Sequence, residues 1–376
     1  MRVEVLESLA GVPAAAWDRM AGDHPFLRHG FLHGLEITGC LEPQGWYPQH
    51  LALYDGDALV GALPLYLRDN SYGEFVFDWS WAEAYERAGG RYYPKLVSAI
   101  PFSPVTGARL LVDPARADRE ALMRTLVETA RHAVDDNELS SWHCLFPREE
   151  ELPAFDAAGL GRRLGVQYHW FNHDYADFDA FLAALSSKKR KQIRRERRLV
   201  DEQALTIETL TGAEITAAHW SVFHRFYCST FHRKWGEPRL TEEFFQRLEE
   251  FLPGRAVLVL ARKGADYVAG AFGLRASDAL YGRHWGCSEQ YDNLHFELCY
   301  YRTIAYCIEH RLGTLDAGAQ GEHKLARGFV PVRTWSTHWI REPRFRRAID
   351  DFLARERRAM EGHMQALATH VAFKQD

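Results

Sequence analysis

A chain of 376 residues with 47% hydrophobic and 26% charged side chains is long enough for two domains and apolar enough for ordinary cores. Its formal net charge of -5 excludes a protein coated in cations for bulk attachment to nucleic acid or membrane. Six cysteines (Cys40, Cys144, Cys228, Cys287, Cys299, Cys307) make no C-x-x-C pair and no regular spacing, which argues against a disulfide framework or zinc site and for a reducing cytoplasm.

The opening MRVEVLESLAGVPAAAW carries two Glu in its first seven residues and no long apolar core, so no secretion signal is expected. No apolar run reaches the roughly eighteen residues a membrane span needs. LALY (51–54) and ALVGALPLYL (58–67), joined through the polar DGD, read as a β-hairpin. Further strands are expected at EFVFD (74–78), KLVSAI (95–100), ARLLV (108–112), SWHCLF (141–146) and VQYHWF (166–171). Arg116 to Asn137 reads as an amphipathic helix with Leu122, Leu126, Thr129, Ala130 and Val134 on one face.

Two segments invite a binding role. In FDWSWAEAYERAGGRYYPK (77–95), Trp79, Trp81, Tyr85, Tyr92 and Tyr93 can wall a pocket in which Asp78 and Glu83 bind a cationic or hydroxylated acceptor; burial in a core is the alternative. In SSKKRKQIRRERR (186–198), eight of thirteen residues are Lys or Arg. Ser186 or Ser187 is the expected N-cap, so Lys188, Lys189, Arg190 and Lys191 fill the first turn, where cations oppose the helix dipole. That placement makes sense where an anion is held; otherwise it is a solvated helix relieved by Glu196 and Glu202, with Ile193, Leu199 and Val200 as its apolar contact. FHRKWGEPRL (231–240) sets Arg233 and Lys234 beside Trp235, a combination that can clamp a nucleotide; the alternative has the indole buried and the cations in water.

VLVLARKGADYVAGAFGLR (257–275) repeats the first hairpin. An offset of 209 pairs Asp57 with Asp266, Gly61 with Gly270, Ala62 with Ala271 and Leu65 with Leu274, the mark of a duplicated domain. A strand LYGRHWGC (280–287) and a helix Asn293–Arg311 follow, the helix with a stripe of Leu294, Leu298, Tyr301, Ile304, Ala305 and Ile308. TLDAGAQGEHKLARGF (314–329) then runs from a short strand into a Gly-rich loop, TWSTHWI (334–340) is a strand, and Arg344 to about Leu367 is a charged helix. No H-E-x-x-H, Cys/His cluster or G-x-S-x-G is present, so neither a metal nor an activated Ser or Cys nucleophile is expected.

The block GRHWGCSEQYDNLHFELCYYRTIAYCIEHRLGTLDAGAQGEHKLARGFVP resembles the C-terminal half of a Fem-type acyltransferase domain. FVFDWSWAEAYERAGGRYYPKLVSAIPFSPVTGARLL and FHRKWGEPRLTEEFF are similar to segments of a bacterial FemAB-like family of N-acyltransferases. For the fold, the resemblance implies an α/β (α+β) protein of two tandem GNAT-like domains, here 1–172 and 173–376, each a mixed, mainly antiparallel sheet flanked by helices. For the chemistry, it implies transfer of an acyl or aminoacyl group to a small-molecule or peptide amine. The donor is aminoacyl-tRNA in Fem enzymes proper and acyl-CoA in other GNAT proteins, with no tightly bound cofactor. One departure bears on the donor: SEQYDNLHFE stands where the Q/R-x-x-G-x-G/A pyrophosphate loop of GNAT enzymes belongs, and it lacks the glycines that let backbone amides approach a pyrophosphate.

An attacking amine must be neutral and the oxyanion it creates must be stabilised. Glu322 or His323 can accept the amine proton, while Lys324 or Arg327 can meet a phosphate or the oxyanion; the resemblance puts the matching lysine in the substrate site and makes Lys324 the first choice. Asp316, at a strand end, is either a site residue or a turn cap. His284, Trp285 and Glu297 can line the acceptor site, as can Arg233 and Trp235, and Lys188, Arg190, Lys191 and Arg194 can meet the carrier's phosphates. Two other readings stay open: an acetyl-CoA-dependent acetyltransferase with an atypical phosphate loop, and a non-catalytic ligand- or RNA-binding protein on the same fold.

Overall fold

Both predicted hairpins form, each closed by a two-residue turn whose first residue is a glycine at positive φ, Gly56 at 59° and Gly264 at 62°. The computed structural model describes residues 1–233, 236–319 and 321–374. The chain divides into two units, Met1–Val166 with Arg333–His363, and Gln167–Val332 with Met364–Asp376. The sequence division at residue 172 differs in giving 333–363 to the second domain. Residues 336–340 instead form a ladder with Ser141–Leu145, Ser336 opposite Leu145 and Ile340 opposite Ser141.

In the first unit the hairpin His50–Asp55/Ala58–Leu63 is flanked by Arg2–Leu6 and Leu111–Val112 in a four-stranded antiparallel sheet. The helix Arg119–Asp136 buries Leu122, Leu126, Val127, Ala130 and Val134 in a core shared with Leu51, Leu53 and Trp142. Each such leucine contributes about 1.5–3 kcal/mol by leaving water, which is what fixes the helix here. A second layer pairs Trp46–Pro48, Tyr66–Arg68, Lys95–Ser98 and Ser141–Leu145 in that order, with only the last pair parallel. EFVFD, expected as a strand, is irregular: Glu74 and Asp78 both bond the ammonium of the buried Lys95, whereas a strand would set them on one face but about 13 Å apart, so the segment bends, with Phe75 at φ 63°.

The second unit runs Thr206–Thr211, Ala256–Lys263, Asp266–Arg275, Ala279–Cys287, Thr314–Asp316 and the end of Gly161–Phe171. All neighbours are antiparallel except Ala279–Cys287 with Thr314–Asp316. The repeated glycines serve packing in both hairpins: a Cβ on Gly61 would come within 3.1 Å of Leu53, and one on Gly270 within 2.9 Å of Leu260 and 3.0 Å of Phe223. Helices Ser187–Asp201, Ala217–His232 and 294–309 accompany this sheet, the last with a π turn over Glu297–Tyr301. Each unit thus combines mainly antiparallel strands, with one parallel pair, and helices, as expected of two GNAT-like domains in tandem.

Candidate functional site

The strand Ala279–Cys287 is irregular at its middle. Phe272 lies opposite His284 and Gly273 opposite Gly282, so Arg283 is an extra residue, a β-bulge of the kind that re-aims side chains beside active sites. On one face of the sheet Ala271 and Gly282 leave space, and the helix 294–309 covers it with His295, Cys299 and Thr303. The result is a cavity of about 110 Å³ with Arg283, Trp285 and Tyr300 on its walls. Burial pushes the His295 pKa down to about 4, helped by His323, Arg327 and Lys324, and lowers that of His284 well below its usual value, so both rings are neutral at pH 7.

Ala317, on the wall of the same cavity, begins the loop that carries the predicted chemistry. Here the expected Gly-rich loop contains a 3-10 turn, Glu322–Arg327, entered through Gly321 at φ 112° and left through Gly328 at φ 88°. Lys324 is 1% exposed and its Nζ donates to the carbonyls of Ala317 (2.8 Å) and Gly318 (2.7 Å). Burial lowers its pKa to about 8, with Asp316 opposing and Arg283 adding to the shift. His323 is exposed, and its Nε2 lies 2.9 Å from the Tyr300 hydroxyl, with the ring against Phe296. Burial, then Arg327 and Lys324, lowers its pKa, while burial raises that of Tyr300; the imidazole is neutral and the phenol keeps its proton. Glu322 is exposed. Asp316 accepts from the Gly318 amide at 2.8 Å, so it caps the turn behind Lys324, and its other oxygen lies 3.7 Å from His169.

Arg327 is committed to the protein. It reaches Glu196 (2.9 Å), the Tyr301 hydroxyl (3.1 Å) and the His323 carbonyl (2.8 Å), and stacks 3.5 Å over Phe296. One residue after Glu196, Arg197 makes a two-bond pair with Glu297, 3.1 Å at each oxygen, and Glu297 also takes Arg302 at 2.9 Å. Both carboxylates are buried, so these are scaffold pairs that fix the basic helix against the loop and the π turn, and Glu297 is not free to line an acceptor site. The helix itself spans Ser187–Asp201 with Ser186 as N-cap residue, and buries Ile193, Glu196 and Val200. Its outer side is cationic. Arg194 pairs with Asp179 at 3.2 Å, whereas Lys188, Lys189, Arg190, Lys191 and Arg195 pair with no carboxylate among the described residues.

The remaining predicted residues lie elsewhere. Asp78, Trp81 and Tyr85 are buried in the first unit, Trp81 and Tyr85 in a core with Ile340, Ile349 and Leu353. Trp79 is 50% exposed and meets Tyr72 and Phe77 at ring distances of 5.7 Å and 5.3 Å. Arg233 ties the end of its helix to the Cys287 carbonyl and to Ser229. Lys234 and Trp235 lie outside the described residues. Where a pyrophosphate loop would stand, Leu294 and Glu297 amides bond to Tyr291 and Asn293 carbonyls, and Glu289 and Asp292 add negative charge. Arg283, His295 and Tyr300 join the site with only a faint signal in the sequence: His295 and Tyr300 stand i, i+5 apart on a helix whose apolar stripe dominates the pattern. Among the described residues no group of three His, Cys, Asp or Glu is arranged to hold a metal ion, and no helix is long and apolar enough to cross a membrane.

Comparison with solved structures gives the fold. FemX superposes with a TM-score of 0.57 at 12% identity, covering 93% of this chain and 100% of that one. L-PGS from Bacillus licheniformis gives 0.56 at 11%, covering 94% and 98%. The C-terminal domain of a putative lysylphosphatidylglycerol synthetase from Agrobacterium fabrum gives 0.53 at 9%, covering 91% and 95%. No curated protein matches the chain in sequence. A family model described as peptidoglycan biosynthesis/recognition matches residues 8–375. The chain therefore belongs to the FemAB-like family, and with it to the acyltransferases.

Proposed function

We propose that the protein moves an aminoacyl or related acyl group from an activated carrier to an amine by direct attack, with aminoacyl-tRNA as the first donor to test and an acyl thioester as the second. The observation that carries the reading is Lys324, a buried cation anchored by two carbonyls, one of them that of the cavity-lining Ala317, with a neutral imidazole next to it in sequence. Two of its three N–H groups are used by Ala317 and Gly318, which leaves one for an oxyanion or phosphate oxygen. In the reaction the amine nitrogen bonds to the acyl carbon, and the carbonyl electrons move to oxygen, where Lys324 stabilises them. His323 takes the amine proton and returns it to the departing carrier oxygen as the acyl–oxygen bond breaks. Tyr300, whose hydroxyl contacts His323 Nε2, positions the ring. Lys188, Arg190 and Lys191, with Arg194, supply a rim for the carrier's phosphates. The acidic, internally bonded segment 288–296 favours a tRNA carrier over CoA.

The test is transfer of a labelled aminoacyl group from tRNA to a panel of peptide and small amines. Lys324→Met is expected to lower kcat about 10²–10³-fold, the loss of one oxyanion donor, and His323→Gln about 10²–10⁴-fold. Reversing charge at Lys188, Arg190 and Arg194 is expected to weaken tRNA binding and flatten its salt dependence. An unchanged rate in Lys324→Met overturns the assignment, and thermal stabilisation by CoA with none by tRNA moves the donor to acyl thioesters.

A further inference from the structure

In the first unit two neighbouring segments change sheets at the same place. Trp46–Pro48 lies in the second layer and His50–Asp55 in the four-stranded sheet, with Gln49 between them; Ala58–Leu63 lies in the four-stranded sheet and Tyr66–Arg68 in the second layer, with Pro64 and Leu65 between them. The Gln49 amide donates to the Leu65 carbonyl at 2.8 Å, which holds the two crossings side by side. Strands that change sheets open a corner between the layers. Here Leu51, Leu65, Leu67 and Leu96 line that corner, and Ala133, near the end of the helix Arg119–Asp136, closes it together with Leu139. The space is about 310 Å³, roughly twice the ~150 Å³ apolar cavity that holds a benzene ring, so it has room for about a dozen non-hydrogen atoms.

No charged side chain lines the corner among the described residues; its polar side chains are two carboxamides, Gln49 and Asn137. Asn137 is exposed, Gln49 is half-buried and Val5 is 56% exposed, so these three mark the opening to solvent. The Asn137 Nδ2 donates to the Ala133 carbonyl at 2.9 Å, which leaves its side-chain oxygen as an acceptor, and Gln49 offers a donor and an acceptor. Asp136 and Glu138 flank Asn137 in sequence at the C-terminus of the helix, where the dipole is negative as well, so an anionic group at the opening is opposed by all three. We infer that the corner binds a single-chain amphiphile: an alkyl chain of about eight to ten carbons lies among the leucines, and an uncharged hydroxyl or amide head lies at the opening, bonded to Gln49 and Asn137. The source is a free amphiphile and not a bilayer, because the opening has neither the Lys and Arg nor the exposed aromatic side chains of a membrane-binding surface. The residues of this site belong to the first unit and the loop of Lys324 to the second, so the inference stands independently of the acyl-transfer reading.

The experiment uses the full chain with octan-1-ol, butan-1-ol and octanoate, followed by isothermal titration calorimetry and by thermal unfolding. Each buried methylene is worth about fourfold in affinity, so octan-1-ol is expected to bind at least about fiftyfold more tightly than butan-1-ol. It is also expected to raise Tm, whereas an alcohol that binds the unfolded chain lowers it. Octanoate is expected to bind about two- to fivefold more weakly than octan-1-ol. Ala133→Phe, which fills the corner from the helix, is expected to abolish the rise in Tm. If that variant does not fold, Val5→Trp replaces it, at a position exposed enough to take the larger ring. An unchanged or lowered Tm with octan-1-ol, a rise that survives the filling variant, or octanoate binding as tightly as the alcohol overturns the inference. Co-sedimentation with phosphatidylcholine vesicles distinguishes the source: none is expected, and vesicle binding that is lost in the filling variant overturns the assignment to a free amphiphile.

Discussion

Replacing Lys95 by Met keeps most of the side-chain volume and removes the cation shared by Glu74 (2.8 Å), Asp78 (2.6 Å) and Ser71 (2.8 Å). Lys95, Glu74 and Asp78 are all buried. Burial alone would lower the lysine's pKa, yet the two carboxylates outweigh it and the net shift is upward. Removing one partner of a buried pair costs about 3–5 kcal/mol because a charge is left without compensation. Glu74 keeps Arg68 at 3.3 Å and Asp78 keeps the Tyr92 hydroxyl at 2.7 Å, which puts the expected loss at the lower end, about 3 kcal/mol. In a unit of about 200 residues each kcal/mol moves Tm by about 2–4 °C, so a fall of about 6–12 °C is expected by calorimetry at pH 7. Arg116→Ala, at the exposed pair with Asp55 and Asp118, serves as control and should stay within about 1 kcal/mol. Without Lys95 the carboxylates bind protons more readily folded than unfolded, so the gap between variant and parent should narrow at pH 5. A loss under about 1 kcal/mol, or a gap that widens at pH 5, refutes the reasoning.

Arg327→Met strands Glu196 and releases the His323 carbonyl, so a loss of about 3 kcal/mol in denaturant titration should accompany a fall in transfer rate; unchanged stability contradicts the buried pair. Gly286→Ala would drive a Cβ into the Phe226 carbonyl and should cost at least about 1–3 kcal/mol, whereas Gly362→Ala, with nothing within 4 Å on its helix, should gain about 0.5–1 kcal/mol; circular dichroism melts decide both. Burial lowers the pKa of His24 and of His143 to about 3. Between pH 6.5 and 5 the unfolded chain therefore binds a proton at each that the folded chain does not, and stability should fall by about 1.5 kcal/mol per histidine over that window. His24→Gln should remove its own share of this slope, about 1.5 kcal/mol, read from urea midpoints at the two pH values.

The hairpins, the helix Arg119–Asp136 and the helix 294–309 are legible in the sequence because apolar periodicity and turn glycines are local signals. What stays hidden depends on partners distant in sequence. Glu196 reads in SSKKRKQIRRERR as one acid relieving its neighbours, and folds to meet Arg327, 131 residues away. EFVFD has strand composition, but its two acids answer to Lys95, which no local pattern announces. Lys324 stands out through a resemblance, His323 through its chemistry in the same loop and Asp316 through its place at a strand end. The cavity beside them does not, since its walls come from residues far apart in sequence, Ala271 and Gly282 on the strands and Cys299 and Thr303 on the helix.

The basic helix divides its positions by constraint. Ile193, Glu196, Arg197 and Val200 are bound to the body of the second unit, and through Arg327 and Glu297 to the loop and the π turn. Lys188, Lys191 and Arg195 face outward and pair with no carboxylate among the described residues, and Arg194 pairs with the exposed Asp179. The outward residues can therefore be rewritten, by drift or by an engineer, without disturbing the loop that holds Lys324. Under the proposed roles, carrier recognition and transfer could change at different rates, although a single turn of helix separates them.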